Sequence, residues 1–108
     1  KCIRLSRTEG IDAVMAAHEL DAIVLPTNAP AWTTDFLNGD HVTGGDSSFA
    51  AVAGYPSITV PMGYAGELPV GLSFVARAWE EGKLIKLAFA YEQATKLRRE
   101  PKYLATYP

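Results

Sequence analysis

The sequence predicts an α/β fold, and three observations carry that prediction. The first is Leu20-Asp-Ala-Ile-Val-Leu-Pro-Thr27, where Ala22 to Leu25 are continuously apolar. A strand without alternation is one buried on both faces, as in the middle of an α/β sheet. The second is a pair of segments with helical spacing on either side of it: Ile11, Val14, Met15 and His18 before, and Leu84, Leu87, Ala88 and Tyr91 near the end. The third is two short apolar runs, Ile58–Val60 and Leu72–Ala76, punctuated by glycine and proline. Together they give the order helix–strand–loop–helix–strand–strand–helix over residues 8–101, which is α/β.

Each element has its own local grounds. Residues 1–7 alternate apolar and polar side chains and are expected as a strand or a linker. Thr8 and Gly10 open the first helix. Asp21 stands at the mouth of the first strand, and Pro26 ends it. Ser47 or Ser48 is expected to cap a helix continued by Phe49, Ala50, Ala51 and Val52. Gly54 falls where a helix end wants a left-handed residue, and Pro56 forbids continuation. Pro61 and Gly63 close the Ile58–Val60 strand, and Gly71 opens the next. The loop 62–69 is short enough to join the two as antiparallel neighbours, with βαβ order left open. The last helix starts near Glu80 or Glu81, acids suited to the positive end of its dipole. Ile85 and Phe89 broaden its apolar face, Lys96, Arg98 and Arg99 crowd its far end, and Pro101 stops it. Residues 102–108 form a tail, with Tyr103 and Tyr107 expected to dock onto a larger body.

Composition narrows the function classes. The chain has 108 residues, enough for one small domain, and a formal net charge of −2. No polyanion-binding surface is advertised, so nucleic acid is not an expected partner. A single cysteine, Cys2, forms no internal disulfide and no cysteine-based metal site. His18 and His41 are expected as surface residues and not as ligands. No apolar run approaches the length of a membrane span, and no membrane partner, metal or cofactor is expected.

In open α/β sheets, ligands gather at loops beyond the carboxyl ends of strands, which directs attention to residues 27–46. A loop that long is commonly functional. Trp32 is either a wall of a binding cleft or a pin holding the loop to the body. Asn28, Thr33, Thr34 and Asp35 have the chemistry to orient a ligand, whereas Asp35 and Asn38 equally suit a local turn. Gly44-Gly45-Asp46-Ser47-Ser48 contains hydroxyls, but an activated serine needs a base within hydrogen-bond reach. No lysine lies between Lys1 and Lys83. The expected role of that string is a glycine turn followed by a helix start.

AVAGYPSITVPMG followed by LPVGLSFVAR resembles the C-terminal part of the amidase signature hydrolases. The subset acting on peptide C-terminal amides and related aliphatic amides is nearest, and the resemblance runs from about Gly10 to Pro101. It implies that residues 1–108 are the C-terminal portion of a larger mixed-sheet amidase domain. It also implies a Ser–Ser–Lys mechanism whose serines and lysine lie upstream, so that no catalytic residue is assigned within this chain. The substrate-side residues expected here are Thr27, Asn28, Trp32, Asp46 and Ser47. Partners implied are a small amide substrate, the N-terminal remainder of the same polypeptide and, for the isolated chain, another copy of itself through open sheet edges. The competing expectations are a non-catalytic binding module and a fragment from the amidotransferase branch.

Overall fold

Helices cover both faces of a three-stranded antiparallel sheet in the computed structural model, which describes residues 1–42 and 44–106. Tyr107, expected to dock in the tail, lies outside the described residues. In chain order the elements are α1 (Cys2–Ser6), a π-helical turn (Arg7–Ile11), α2 (Asp12–Ala17), β1 (Ile23–Pro26), α3 (Ser47–Ala53), β2 (Ser57–Ala65), β3 (Leu68–Val75) and α4 (Glu81–Thr95). The α/β class expected from the sequence is therefore what the chain forms.

The strand order is β1-β3-β2, and both pairings are antiparallel. Ser73 lies opposite Leu25 on one side and Thr59 on the other, while Phe74 lies opposite Val24 and Ile58. Residues directly opposite share a face, so this register sorts the side chains into two layers. One layer joins Val75 to Ile11 and Met15 from the first helical segment and to Ala50 and Ala53 of α3, with Ile23, Leu25 and Tyr55 against them. The other joins Val60, Phe74 and Ala76 to Leu84 and Ala88 of α4, with Ile58, Leu72, Leu87 and Tyr91 around them. Phe74 and Tyr91 meet edge to face at 6.0 Å between ring centroids.

Several local expectations are corrected. Residues 1–7 are neither strand nor linker: α1 runs directly into the π-helical turn. Ile3 and Leu5 are both exposed, so their alternation marks no buried sheet face. Within this chain β1 is an edge strand and not a central one. Its Val24 is 55 % exposed, because α4 lies over β2 and β3. The βαβ alternative is replaced by a hairpin in which Ala65 faces Leu68 across Gly66 and Glu67. Pro61 and Gly63 do not end β2; the register shifts between them and the strand continues to Ala65. Proline is tolerated there because β2 is also an edge.

At α3 the cap position is held by Asp46, without a side-chain cap bond, and Ser47 is the first helical residue. Gly54 takes φ 64° at its C-terminus, as expected for a left-handed stop. Helix α4 ends at Thr95, with Lys96 left-handed at φ 47°, and so stops before Pro101 is reached. Ile85 and Phe89 do not broaden its buried face; they are 59 % and 61 % exposed. Leu84, Leu87, Ala88 and Tyr91 follow i, i+3, i+4 and i+7 spacing, and Ile85 and Phe89 are turned away from that stripe.

Candidate functional site

The α3-side face of the sheet changes character along its length. Ile23 and Val75 are covered by helices, but further along, the same face carries hydroxyls. Thr27 Oγ1 lies 2.7 Å from Ser73 Oγ and 3.4 Å from Thr59 Oγ1, and Thr59 and Ser73 are 3.1 Å apart. Ser73 is fully buried (0 % exposed), and a buried hydroxyl is costly unless paired. Two threonines on flanking segments meet that need. Gly71 makes the approach possible, since a Cβ there would sit 2.8 Å from Thr27 Oγ1 and 2.7 Å from Thr59 Cγ2.

Thr27 also fastens the base of the long loop. Its N–H donates to the Gly71 carbonyl at 2.8 Å, and its carbonyl accepts the Asp46 N–H at 3.0 Å. Asn28 and Gly45 form an isolated antiparallel bridge beside it. A Cβ at Gly45 would collide with Asn28 Oδ1, so a larger residue there would displace the amide. These ties close the loop at its neck and shape a cavity of about 420 Å³. Asn28 and Asp46 supply polar groups to it, and Leu25, Pro26, Met62 and Val70 give it apolar walls. An apolar hollow with a few polar groups is the usual form of a small-molecule site.

Of the five residues expected at a substrate cleft, the fold brings Asn28 and Asp46 into this cavity and sets Thr27 at its root. It does not bring in the other two. Trp32 lies farther out on the loop, 43 % exposed, and Ser47 is exposed at the start of α3; neither lines the cavity. Asp35 takes the turn role: its carboxylate accepts the Leu37 and Asn38 N–H groups at 2.9 and 3.0 Å and the Asn38 side-chain amide at 2.9 Å. The Asn38 side-chain bond, then the two backbone bonds, hold its carboxyl below the usual carboxylate range. Lys83, the lysine nearest Ser47 in sequence, is engaged by Asp21 and Glu80 instead. Among the described residues there is no cluster of metal-ligating side chains.

Sequence reasoning missed two features. Ser73 was detectable as the one hydroxyl in an otherwise apolar buried run, LSFVA, but its threonine partners depend on cross-strand register. The second is a brace behind α3. The Arg7 guanidinium donates to the Ala53 carbonyl and lies 5.3 Å from the centre of the Tyr55 ring. The Tyr55 hydroxyl donates to Asp12 Oδ2 at 2.7 Å. Burial, then the Asp12 carboxylate, pushes the Tyr55 phenol above its ordinary value. The brace fixes the C-terminal end of the helix whose other end carries Asp46.

Comparison with known proteins agrees with this architecture. The Amidase family model matches residues 3–85. A probable amidase of Arabidopsis thaliana is 42 % identical over 106 residues, covering 97 % of this chain and 17 % of that protein. The structure of a native peptide amidase from Stenotrophomonas maltophilia superposes with a TM-score of 0.83 at 53 % identity, over 94 % of this chain and 20 % of that one. A glutamyl-tRNA(Gln) amidotransferase component from Gloeobacter violaceus is 38 % identical over 103 residues, 87 % of this chain and 20 % of that protein. The chain thus spans about a fifth of the length of these relatives.

Proposed function

The chain belongs to the amidase family, and from that premise we propose that it is the C-terminal part of an amide C–N hydrolase, supplying sheet strands and one wall of the substrate cleft. The observation that carries this reading is the cavity at the end of β1, where Asn28 and Asp46 face apolar walls on a scaffold similar to peptide amidase. Resemblance to the family implies attack on the amide carbonyl by a serine. Its proton passes through a second serine and a lysine, the amine departs, and water hydrolyses the acyl-enzyme. Those groups belong upstream, in the part of the polypeptide that this chain does not include. Among the described residues no base is hydrogen-bonded to Ser47 or Ser48, and Lys83 is committed to carboxylates. The chain alone is therefore inactive in this reading.

Within the intact enzyme, Asn28 and Asp46 orient the substrate amide, and Thr27 holds the loop that presents them. Trp32 and Ser47 contribute only if the remainder of the protein completes the cleft around them. A peptide C-terminal amide or an aliphatic amide fits this reading better than transfer of ammonia to a carrier, because the peptide amidase likeness is the stronger one at 53 % identity against 38 %. The test is hydrolysis of short peptide amides by the full-length polypeptide. Asn28→Ala and Asp46→Ala are expected to raise KM several-fold with a smaller change in kcat. Unchanged KM in both variants contradicts a cleft role.

The partner of the exposed surface is the remainder of the same polypeptide. The open β1 edge, with Val24 beside it, and the exposed Ile3, Leu5, Val14 and Val52 are surfaces that a longer chain would cover. Isolated, the 108-residue chain self-associates through them. Sizing with light scattering reads this directly, and a monodisperse monomer contradicts it.

A further inference from the structure

Beyond α4 the chain doubles back over the β2–β3 hairpin without regular secondary structure from residue 96 to 104. Arg98 and Arg99 roof a cleft of about 340 Å³ whose other walls include Thr59, Gly63, Tyr64 and Gly71. Further on, Pro101, Tyr103 and Leu104 face Tyr64, Leu68 and Pro69 across a cavity of about 470 Å³. We propose that residues 98–104 are a detachable strap that gates the cleft on the β2–β3 hairpin.

The reason lies in how the segment is held. The Arg99 N–H donates to the Tyr64 hydroxyl at 2.9 Å, and the Arg99 guanidinium stacks 4.2 Å from the centre of the same ring. Lys102 Nζ lies 2.8 Å from Glu67 Oε2, with the two side chains 59 % and 40 % exposed. The Lys102 hydrogen bond, with its charge, holds the Glu67 carboxyl below its ordinary value. No described residue of the strap is buried; Leu97, just before it, is half-buried. Exposed ion pairs and cation–π contacts are each weak and are screened or competed by solvent. A segment tied, among the described residues, by one exposed hydrogen bond and contacts of this kind opens locally long before the core does.

What the strap covers gives the opening a consequence. Thr59 belongs to the hydroxyl cluster at the end of β1, Gly71 lies against that cluster, and Val70 lines both the strapped cleft and the cavity that holds Asn28 and Asp46. Lifting the strap therefore uncovers a second approach to the same end of the sheet. The strap belongs to the chain itself, and its opening is independent of amide chemistry.

Limited trypsin digestion of the full-length polypeptide tests it, with the cleavage rate after Arg99 expressed relative to that after Lys86 inside α4. Tyr64→Leu removes both ties to Arg99 and is expected to raise that ratio roughly fivefold. Tyr64→Phe keeps the ring and loses only the acceptor, so it falls between that variant and the unsubstituted chain. Glu67→Gln is expected to raise the ratio about twofold and to abolish most of its rise with salt. Equal ratios in all variants at low and high salt would overturn the proposal. So would cleavage in α4 that keeps pace with cleavage at Arg99.

Discussion

The two sides of the sheet are finished by different means. On one side a single helix of fifteen residues, α4, lays Leu84 and Ala88 against Phe74 and Val60. On the other, α1, the π-helical turn, α2 and α3 assemble a cover from pieces of five to seven residues. Their apolar contribution is Ile11, Met15, Ala50 and Ala53, and their alignment depends on the Arg7–Ala53 and Tyr55–Asp12 bonds. The α4 side is one continuous apolar stripe with an exposed Lys83–Asp21 pair at its margin, whereas the other side joins short pieces by part-buried polar bonds. Both leave apolar side chains in solvent, Val24, Ile85 and Phe89 on the first and Ile3, Leu5, Val14 and Val52 on the second. The difference teaches where function can sit. A face incompletely covered by helix has room for hydroxyls, a fastened loop and a cavity.

Substitutions in α4 separate the two faces most strongly. Leu84→Ala, in a side chain 2 % exposed, is expected to cost about 2–5 kcal/mol. Val52→Ala on the braced side is expected to stay within about 0.5 kcal/mol. Urea unfolding of both variants checks this, and a loss at Val52 comparable to that at Leu84 would show that the Val52 side chain is packed and not left in solvent. Ser73→Ala is a subtler probe. It removes the buried hydroxyl and leaves Thr27 and Thr59 with only their longer 3.4 Å contact. A loss of about 1–2 kcal/mol is expected. Faster hydrogen exchange at the Thr27 and Asp46 amides should accompany it, because both anchor the loop neck. Unchanged exchange there would show that the hydroxyl cluster does not hold the loop.

Legibility in the sequence followed the same divide. Features set by neighbours along the chain were plain: the left-handed Gly54 before Pro56, the helical stripe of α4, and the two apolar runs that became β2 and β3. Features set by register were not. Ala22 to Leu25 looks doubly buried because apolarity is all a sequence displays, yet which strand lies beside β1 and how far α4 reaches decide the exposure of Val24. Pro61 looks like a strand end because proline lacks a donor, but on an edge strand that donor is not needed. The loop anchors Asn28 and Asp46 were identifiable from their place after β1. The hydroxyl cluster that roots them joins residues from three separate segments and is invisible to any local pattern.

The central proposal is that this chain of the amidase family is one wall of an amide hydrolase's cleft and does not carry the nucleophile. Its most direct test is amide turnover by the isolated 108-residue chain on a panel of peptide and aliphatic amides, beside the full-length polypeptide. Hydrolysis by the full-length protein and none by the chain is the predicted result. Turnover by the chain that disappears in Ser47→Ala would contradict it.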